Sequence, residues 1–343
     1  MTPSEFKKLV EKDKTVLIIS SRPLDFDCLG SGLIMKKYLE SLGKKAQMVF
    51  PYEMAQSEKE YYSFLPFFEE VEDKDSREIL NRKNFDLLIL VDGSNLPQYF
   101  DARSDEGNPP DLTVYDKRIN IDHHLPRPKE LGTIVIRDSE ASSTAEIILR
   151  DIVPEEFIDE DMATLGYAAL VGDTGNFKWN FHPSTLALAA KLLTRGAKAL
   201  EIVDRFFFSK SKDDLKLTVY AIENIEFDDS LGVSFLFLPY GKIREDNLNS
   251  EKVDLLKTVV QMDLAKTVKE YSLTVMLSEK EPGKISLNGW GNNLRNKVNI
   301  PELFAKVGGN GGGHFHAAGA TMEGEFDKIK QKLMSLLAEQ LKK

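Results

Sequence analysis

Cysteine is almost missing from these 343 residues: Cys28 is the single one, so no intrachain disulfide can form and nothing points to oxidative export. Long apolar runs are missing too. None approaches the ~20 residues that cross a bilayer, and Met1 to Lys14 mixes acids and lysines without the apolar heart of a signal peptide. The expectation is a cytoplasmic protein with no membrane association. Positive charge is in deficit, since 45 Lys and Arg stand against 55 Asp and Glu for a net charge of −10. That argues against a broad basic surface gripping long duplex nucleic acid by its backbone. The lack of a cysteine cluster argues against structural zinc. A polyanionic substrate would need local cations, which bound divalent metals can supply inside an acidic site.

What is present is the composition of a globular protein, 42% hydrophobic and 29% charged, on a chain long enough for two domains. Residues 15–20, Thr-Val-Leu-Ile-Ile-Ser, read as a strand buried on both faces. Leu33, Ile34, Tyr38 and Leu39 then recur at helical spacing within Gly30 to Leu42. The same strand grammar returns at Phe85 to Val91 and at Arg118 to Ile121. Strands alternating with helices predict an α/β fold, a doubly wound and mostly parallel sheet. Helices are expected at Ser142 to Val153, Asp161 to Leu170 and Pro183 to Leu193, followed by a long charged helical stretch from about Ala197 to Ile225. A β-rich run, Gly232 to Pro239, marks a boundary near residue 228. Beyond it, strands at about 232–238, 271–277 and 284–289, helices at about 250–263 and 324–341, and a glycine cluster at 308–313 predict a smaller α/β domain.

Ligands of such sheets bind outside the carboxyl ends of the strands, and there the sequence concentrates its acids. Asp25-Phe26-Asp27 follows the first strand, Asp92 the second, and Asp122-His123-His124 the third, while Asp173 follows an apolar helix in Gly172-Asp173-Thr174-Gly175. Each alone reads as a turn, a cap or a surface residue. Their recurrence after successive apolar runs points to one site. Many carboxylates with few imidazoles suit Mn²⁺ or Mg²⁺, and two such ions about 3.5–4 Å apart can activate a water against a phosphoester.

These residues resemble the signature of the DHH phosphoesterases. Ile121-Asp122-His123-His124 matches the motif that names the family, and Asp25 to Ser31, Asp92 and Gly172 to Phe177 are similar to its other N-terminal motifs. Ala141-Ser142-Ser143-Thr144-Ala145-Glu146 matches a helix start of the oligoribonuclease branch. Gly308 to Gly319, with Gly311-Gly312-Gly313-His314 inside it, resembles the motif of the DHH-associated C-terminal domain. The resemblance implies a catalytic domain over 1–205, a helical linker over 206–227 and a substrate-binding domain over 228–343, with the active-site cleft between the domains. It implies that Asp92 bridges two Mn²⁺ (or Mg²⁺) ions, that Asp25 serves the first, and that Asp27, His123 and Asp173 serve the second. His124 would face the scissile phosphate, Asp122 would orient its neighbours, and Gly311, Gly312, Gly313 and His314 would hold a terminal phosphate or sugar.

The pattern departs in places. The family's first motif opens with a histidine four residues before its first aspartate, where this chain has Ser21. An arginine common in the strand before the glycine motif is absent from Ser286-Leu287-Asn288, and Arg295 is the nearest substitute. Arg22 and Arg127 are cations near site residues in sequence. The expected activity is hydrolysis of short oligonucleotides, linear or cyclic dinucleotides, or 3′-phosphoadenosine 5′-phosphate (pAp), as in the nanoRNase, pAp phosphatase and cyclic-dinucleotide phosphodiesterase branch. The alternatives are an inorganic pyrophosphatase or exopolyphosphatase, and a nucleotide-binding protein whose catalysis is impaired at Ser21. A homodimer is compatible with all three.

Overall fold

The computed structural model describes residues 1–80, 84–100, 109–126 and 129–341. Arg127 lies outside them. The chain divides into two compact units, Met1–Ser209 and Lys210–Lys343.

The first unit is built on strands β1 (Thr15–Ser20), β2 (Lys45–Phe50), β3 (Val71–Asp73), β4 (Leu87–Val91), β5 (Arg118–Asp122) and β6 (Ile134–Arg137). They pair in parallel throughout, in the order β3-β2-β1-β4-β5-β6. The central strands are apolar on both faces because helices cover both. Val16 and Ile18 join the core beneath the helices Phe26–Ser41 and Glu160–Thr174. Leu17 and Ile19 enter the opposite core with Leu88, Leu90 and Tyr99. The order of strands reverses direction between β1 and β4, which is where a doubly wound sheet opens a crevice at its carboxyl edge. The predicted sheet is therefore present, and its acidic strand ends flank that switch point.

Several elements differ from expectation. The helix after β1 begins at Phe26, because the Asp25 side chain accepts from Cys28 N at 2.8 Å and caps it. The stretch Ala197 to Ile225 is two helices, Ala199–Phe207 and Lys212–Asn224. Ser211 caps the second, its hydroxyl accepting from Asp214 N at 3.1 Å, and the cap stops the first helix from running on. Ile225 itself opens a strand.

The second unit carries β7 (Ile225–Asp228), β8 (Val233–Leu238), β9 (Leu273–Glu281), β10 (Lys284–Gly291), β11 (Asn310–His314) and β12 (Ala317–Glu323). Its sheet runs β11-β12-β10-β9-β8-β7, antiparallel except for the β8–β9 pair. The glycine cluster is an edge strand. A Cβ on Gly311 would stand 2.1 Å from the Gly319 carbonyl oxygen, and one on Gly313 2.2 Å from that of Ala317. Glycine is needed there because β11 lies so close on β12. Among the described residues no helix is long and apolar enough to cross a membrane.

Candidate metal centre and active site

Asp27 stands in the first turn of the helix that follows β1, wholly buried. Both of its oxygens accept backbone N–H groups from the start of the helix Thr144–Ile147, at 2.6 Å from Thr144 and 2.9 Å from Ala145. Asp92 follows β4 in the left-handed region, at φ 61°, a conformation that aspartate tolerates better than most residues and that recurs at functional sites. Its backbone N–H still bonds Ile121 across the sheet at 2.9 Å. The turn continues through Gly93, where a Cβ would meet the Tyr99 hydroxyl at 2.7 Å. Asp92 Oδ1 accepts from the Thr144 hydroxyl at 3.1 Å and Oδ2 from the Ser21 hydroxyl at 3.4 Å.

Beyond β5, His123 is buried with Nδ1 at 3.3 Å from the Ala141 carbonyl and Nε2 at 3.5 Å from Asp92 and 3.4 Å from Asp173. His124 turns its Nδ1 to Asp122 at 2.8 Å, and Asp122 meets Arg137 at 3.4 Å on its other oxygen. Asp173 lies in the last turn of the helix Glu160–Thr174, the negative end of its dipole and an unfavourable place for a carboxylate without a cation. The Trp179 indole holds that end by donating to the Asp173 carbonyl at 3.0 Å. The Asp173 side chain keeps about a fifth of its exposure, yet its Oδ2 is buried and has no hydrogen-bond partner.

One donor atom each from Asp27, Asp92 and His123 lie within 4.8 Å of one another, and so do donors from Asp92, Asp122 and His124. Asp92 is common to both groups. Burial pushes the carboxyls of Asp92 and Asp173 well above the usual range, with the charges of Asp27 and Asp25 adding to it. Asp25 is raised by burial as well, and Asp27 is pushed up to about 6 by burial and by Asp25, against the pull of its two N–H donors. So many carboxyl groups facing each other in a buried site cannot all ionise unless a cation joins them. The orphaned Asp173 oxygen and the oxygen-and-imidazole donor set fit a hard divalent ion.

A raised folded-state pKa means that the contribution to stability is fully present below the unfolded value, near 4, and is lost as pH rises through the folded one. The metal-free protein is therefore expected to melt at a higher temperature at pH 5.5 than at pH 7.5, with Mn²⁺ reversing the loss at pH 7.5. Acids with lowered pKa, such as Asp86 and Asp138, already contribute their stability in full above about pH 5 and lose it only on further acidification, so they do not mask the trend. A melting temperature that rises from pH 5.5 to 7.5 without metal would refute the repulsion.

Of the predicted site residues, Asp25, Asp27, Asp92, Asp122, His123, His124 and Asp173 come together. Asp25 is drawn into the group by its electrostatic coupling to Asp27, Asp92, Asp173 and His124. In the second unit His314 ends β11, after Gly311 to Gly313. The Arg295 guanidinium is engaged with the carbonyls of Val268 and Lys269, tying two loops together. Arg137 and Thr144 escaped the sequence reading. Arg137 sits on a short edge strand with no clear periodicity, and Thr144 was visible only as part of a helix start.

An acid-and-histidine cluster with one carboxylate common to two donor groups, at the switch point of a doubly wound sheet, offers the donors that a hard divalent ion would use. The chain belongs to the DHH family: residues 15–170 match the DHH family, N-terminal domain, and residues 248–342 match the DHHA1 domain. It is an enzyme of the phosphodiesterase and phosphatase class. Similar proteins include a bifunctional oligoribonuclease and PAP phosphatase NrnA from Thermus thermophilus, 28% identical over 92% of this chain and 87% of its own length. Another is a probable protein of that kind from Streptococcus mutans, 29% identical over 97% and 99%. The fold is shared with an exopolyphosphatase-related protein from Bacteroides fragilis, with a TM-score of 0.77, 21% identity, and 98% and 95% of the two chains covered.

Proposed function

We propose that this chain hydrolyses short oligoribonucleotides and pAp, using two Mn²⁺ ions held by its N-terminal unit. The observation that carries the reading is the buried group of Asp27, Asp92 and His123, whose donor atoms lie within 4.8 Å of one another. Asp27, His123 and Asp173 would hold one ion and Asp25 the other, with Asp92 between them; Ser21 offers only a hydroxyl where the family has an imidazole. When bound, such ions polarise a phosphoryl oxygen and lower the pKa of a water.

The remaining chemistry belongs to the chain. Asp122, steadied by Arg137, accepts from Nδ1 of His124 and so fixes the ring. In the doubly protonated ring the Nε2–H is then the group that can pass a proton to the departing oxygen. Gly311 to Gly313 lie on an edge strand, which leaves alternate N–H groups outside the ladder. Those groups and His314 are the proposed anchor for a substrate phosphate. The assignment of substrates rests on the relatives' activities and on the net charge of −10, which disfavours long duplexes.

The test is a panel of pApA, pAp, a cyclic dinucleotide and pyrophosphate with Mn²⁺ at pH 7.5. Release of mononucleotide from pApA and of phosphate from pAp is expected, each at least ~10-fold faster than cleavage of pyrophosphate, a discrimination of about 1.4 kcal/mol. Pyrophosphate cleaved fastest would turn the assignment to a pyrophosphatase. Tight nucleotide binding without turnover would make the chain a binding protein.

A further inference from the structure

Two acids of the buried group, Asp27 and Asp92, meet the same short segment, 142–146, although they reach it from opposite sides of the switch point. Thr144 N–H and Ala145 N–H each take one oxygen of Asp27, while the Thr144 hydroxyl takes Oδ1 of Asp92. The segment is itself clamped. Glu146, wholly buried, accepts on Oε2 from Ser142 N at 3.0 Å, Ser142 Oγ at 2.7 Å and Thr185 Oγ at 2.9 Å. Its other oxygen stands 3.8 Å from Arg150, within ion-pair range and too far for a hydrogen bond. The Ser143 hydroxyl accepts from Glu146 N at 3.1 Å and closes the first turn. Ser142, Ser143, Thr144 and Thr185 are all fully buried.

A carboxylate oxygen has two acceptor directions. With one N–H on each oxygen, the Asp27 carboxylate loses the freedom to rotate. Asp92 hangs from a left-handed turn and accepts from two hydroxyls, of which Thr144 at 3.1 Å is closer than Ser21 at 3.4 Å. Among the described residues Thr144 donates to both acids, from its backbone to Asp27 and from its side chain to Asp92.

We propose that Thr144, held in place by Glu146, is a positioning residue that sets the Asp27 and Asp92 carboxylates against each other for one divalent cation. This rests on the metal-site reading above. Partners of this kind typically change metal affinity or activity by 10- to 100-fold without touching the ion.

The experiment titrates Mn²⁺ alone into the full chain, reading free Mn²⁺ by electron paramagnetic resonance, for the parent, Thr144→Val and Thr144→Ser. Valine keeps the shape and the backbone donor and removes the hydroxyl; serine restores it. Thr144→Val is expected to bind Mn²⁺ about 10-fold more weakly, with Thr144→Ser within roughly 2-fold of the parent. With Mn²⁺ below saturation, kcat for pApA should fall in Thr144→Val while KM holds. Equal Mn²⁺ affinity in parent and valine variant, or a serine variant as weak as valine, overturns the proposal. A valine variant that does not fold overturns it as well, since the position then serves the fold. A parent that binds no Mn²⁺ removes the metal site itself, a result distinct from a lost contrast between valine and serine on a parent that binds.

Discussion

Asp92→Asn is expected to lower turnover of pApA by ~10³-fold or more while leaving the metal-free protein at least as heat-stable as the parent at pH 7.5. The activity follows from the shared position of Asp92 in the two donor groups. An amide carries no charge to neutralise two cations, and metal assistance is worth several kcal/mol of barrier, of which ~4 kcal/mol is already ~10³ in rate. The stability follows from the same crowding. Burial and the charges of Asp27, Asp25 and Asp173 oppose ionisation of Asp92, so its replacement removes repulsion at neutral pH. Asparagine also suits the backbone, since it enters the left-handed region as readily as aspartate. Its carbonyl can still accept from Thr144, and its amide can donate to the Ser21 hydroxyl, so few hydrogen bonds are lost. Steady-state assays with Mn²⁺ and thermal melts without it test the two halves separately. A variant that loses activity because it melts well below the parent would leave Asp92 a structural residue. One that retains a tenth of the parent rate would show that the carboxylate is not shared between ions.

The acids could be found by reading because the physics that makes a central parallel strand also marks its end. Val16–Ile19 and Leu87–Val91 are apolar throughout since both faces are covered, so the first polar residues after them announce the sheet edge. Strands away from the centre of the sheet carry no such mark. Lys45–Phe50 is buried only over its last three residues, and Ile134–Arg137 has one buried position, too few for a period. Ile225–Asp228 was hidden because Ile225 continues the spacing of the helix before it. The glycine run carries no strand signal because glycine is rare in strands. Its cause is the close approach of Ala317 and Gly319, a long-range fact that no local pattern holds. Thr144 was hidden for a like reason: its partners lie 117 and 52 residues away.

His124→Ala and His123→Ala, neighbours in sequence, are expected to fail in different ways. His123 Nε2 faces Asp92 and Asp173, so its loss should weaken Mn²⁺ binding and activity together. His124 has its Nδ1 on Asp122 at 2.8 Å and stands 3.9 Å from Asp92, so its removal should spare most of the Mn²⁺ affinity. The rate on pApA should nonetheless drop by ~10²- to 10⁴-fold, the usual span for a lost proton donor. The leaving group supplies the decisive contrast. Departure of a ribose oxygen needs a proton from Nε2, whereas a p-nitrophenolate leaves without one. Against thymidine 5′-p-nitrophenyl phosphate the defect of His124→Ala should therefore shrink to within ~10-fold of the parent, and that of His123→Ala should persist. Equal losses on the two substrates would mean that His124 acts on the attacking water or on the ion. A loss of Mn²⁺ affinity in His124→Ala matching that in His123→Ala would assign it to the second donor group with Asp92 and Asp122, as a ligand and not as an acid.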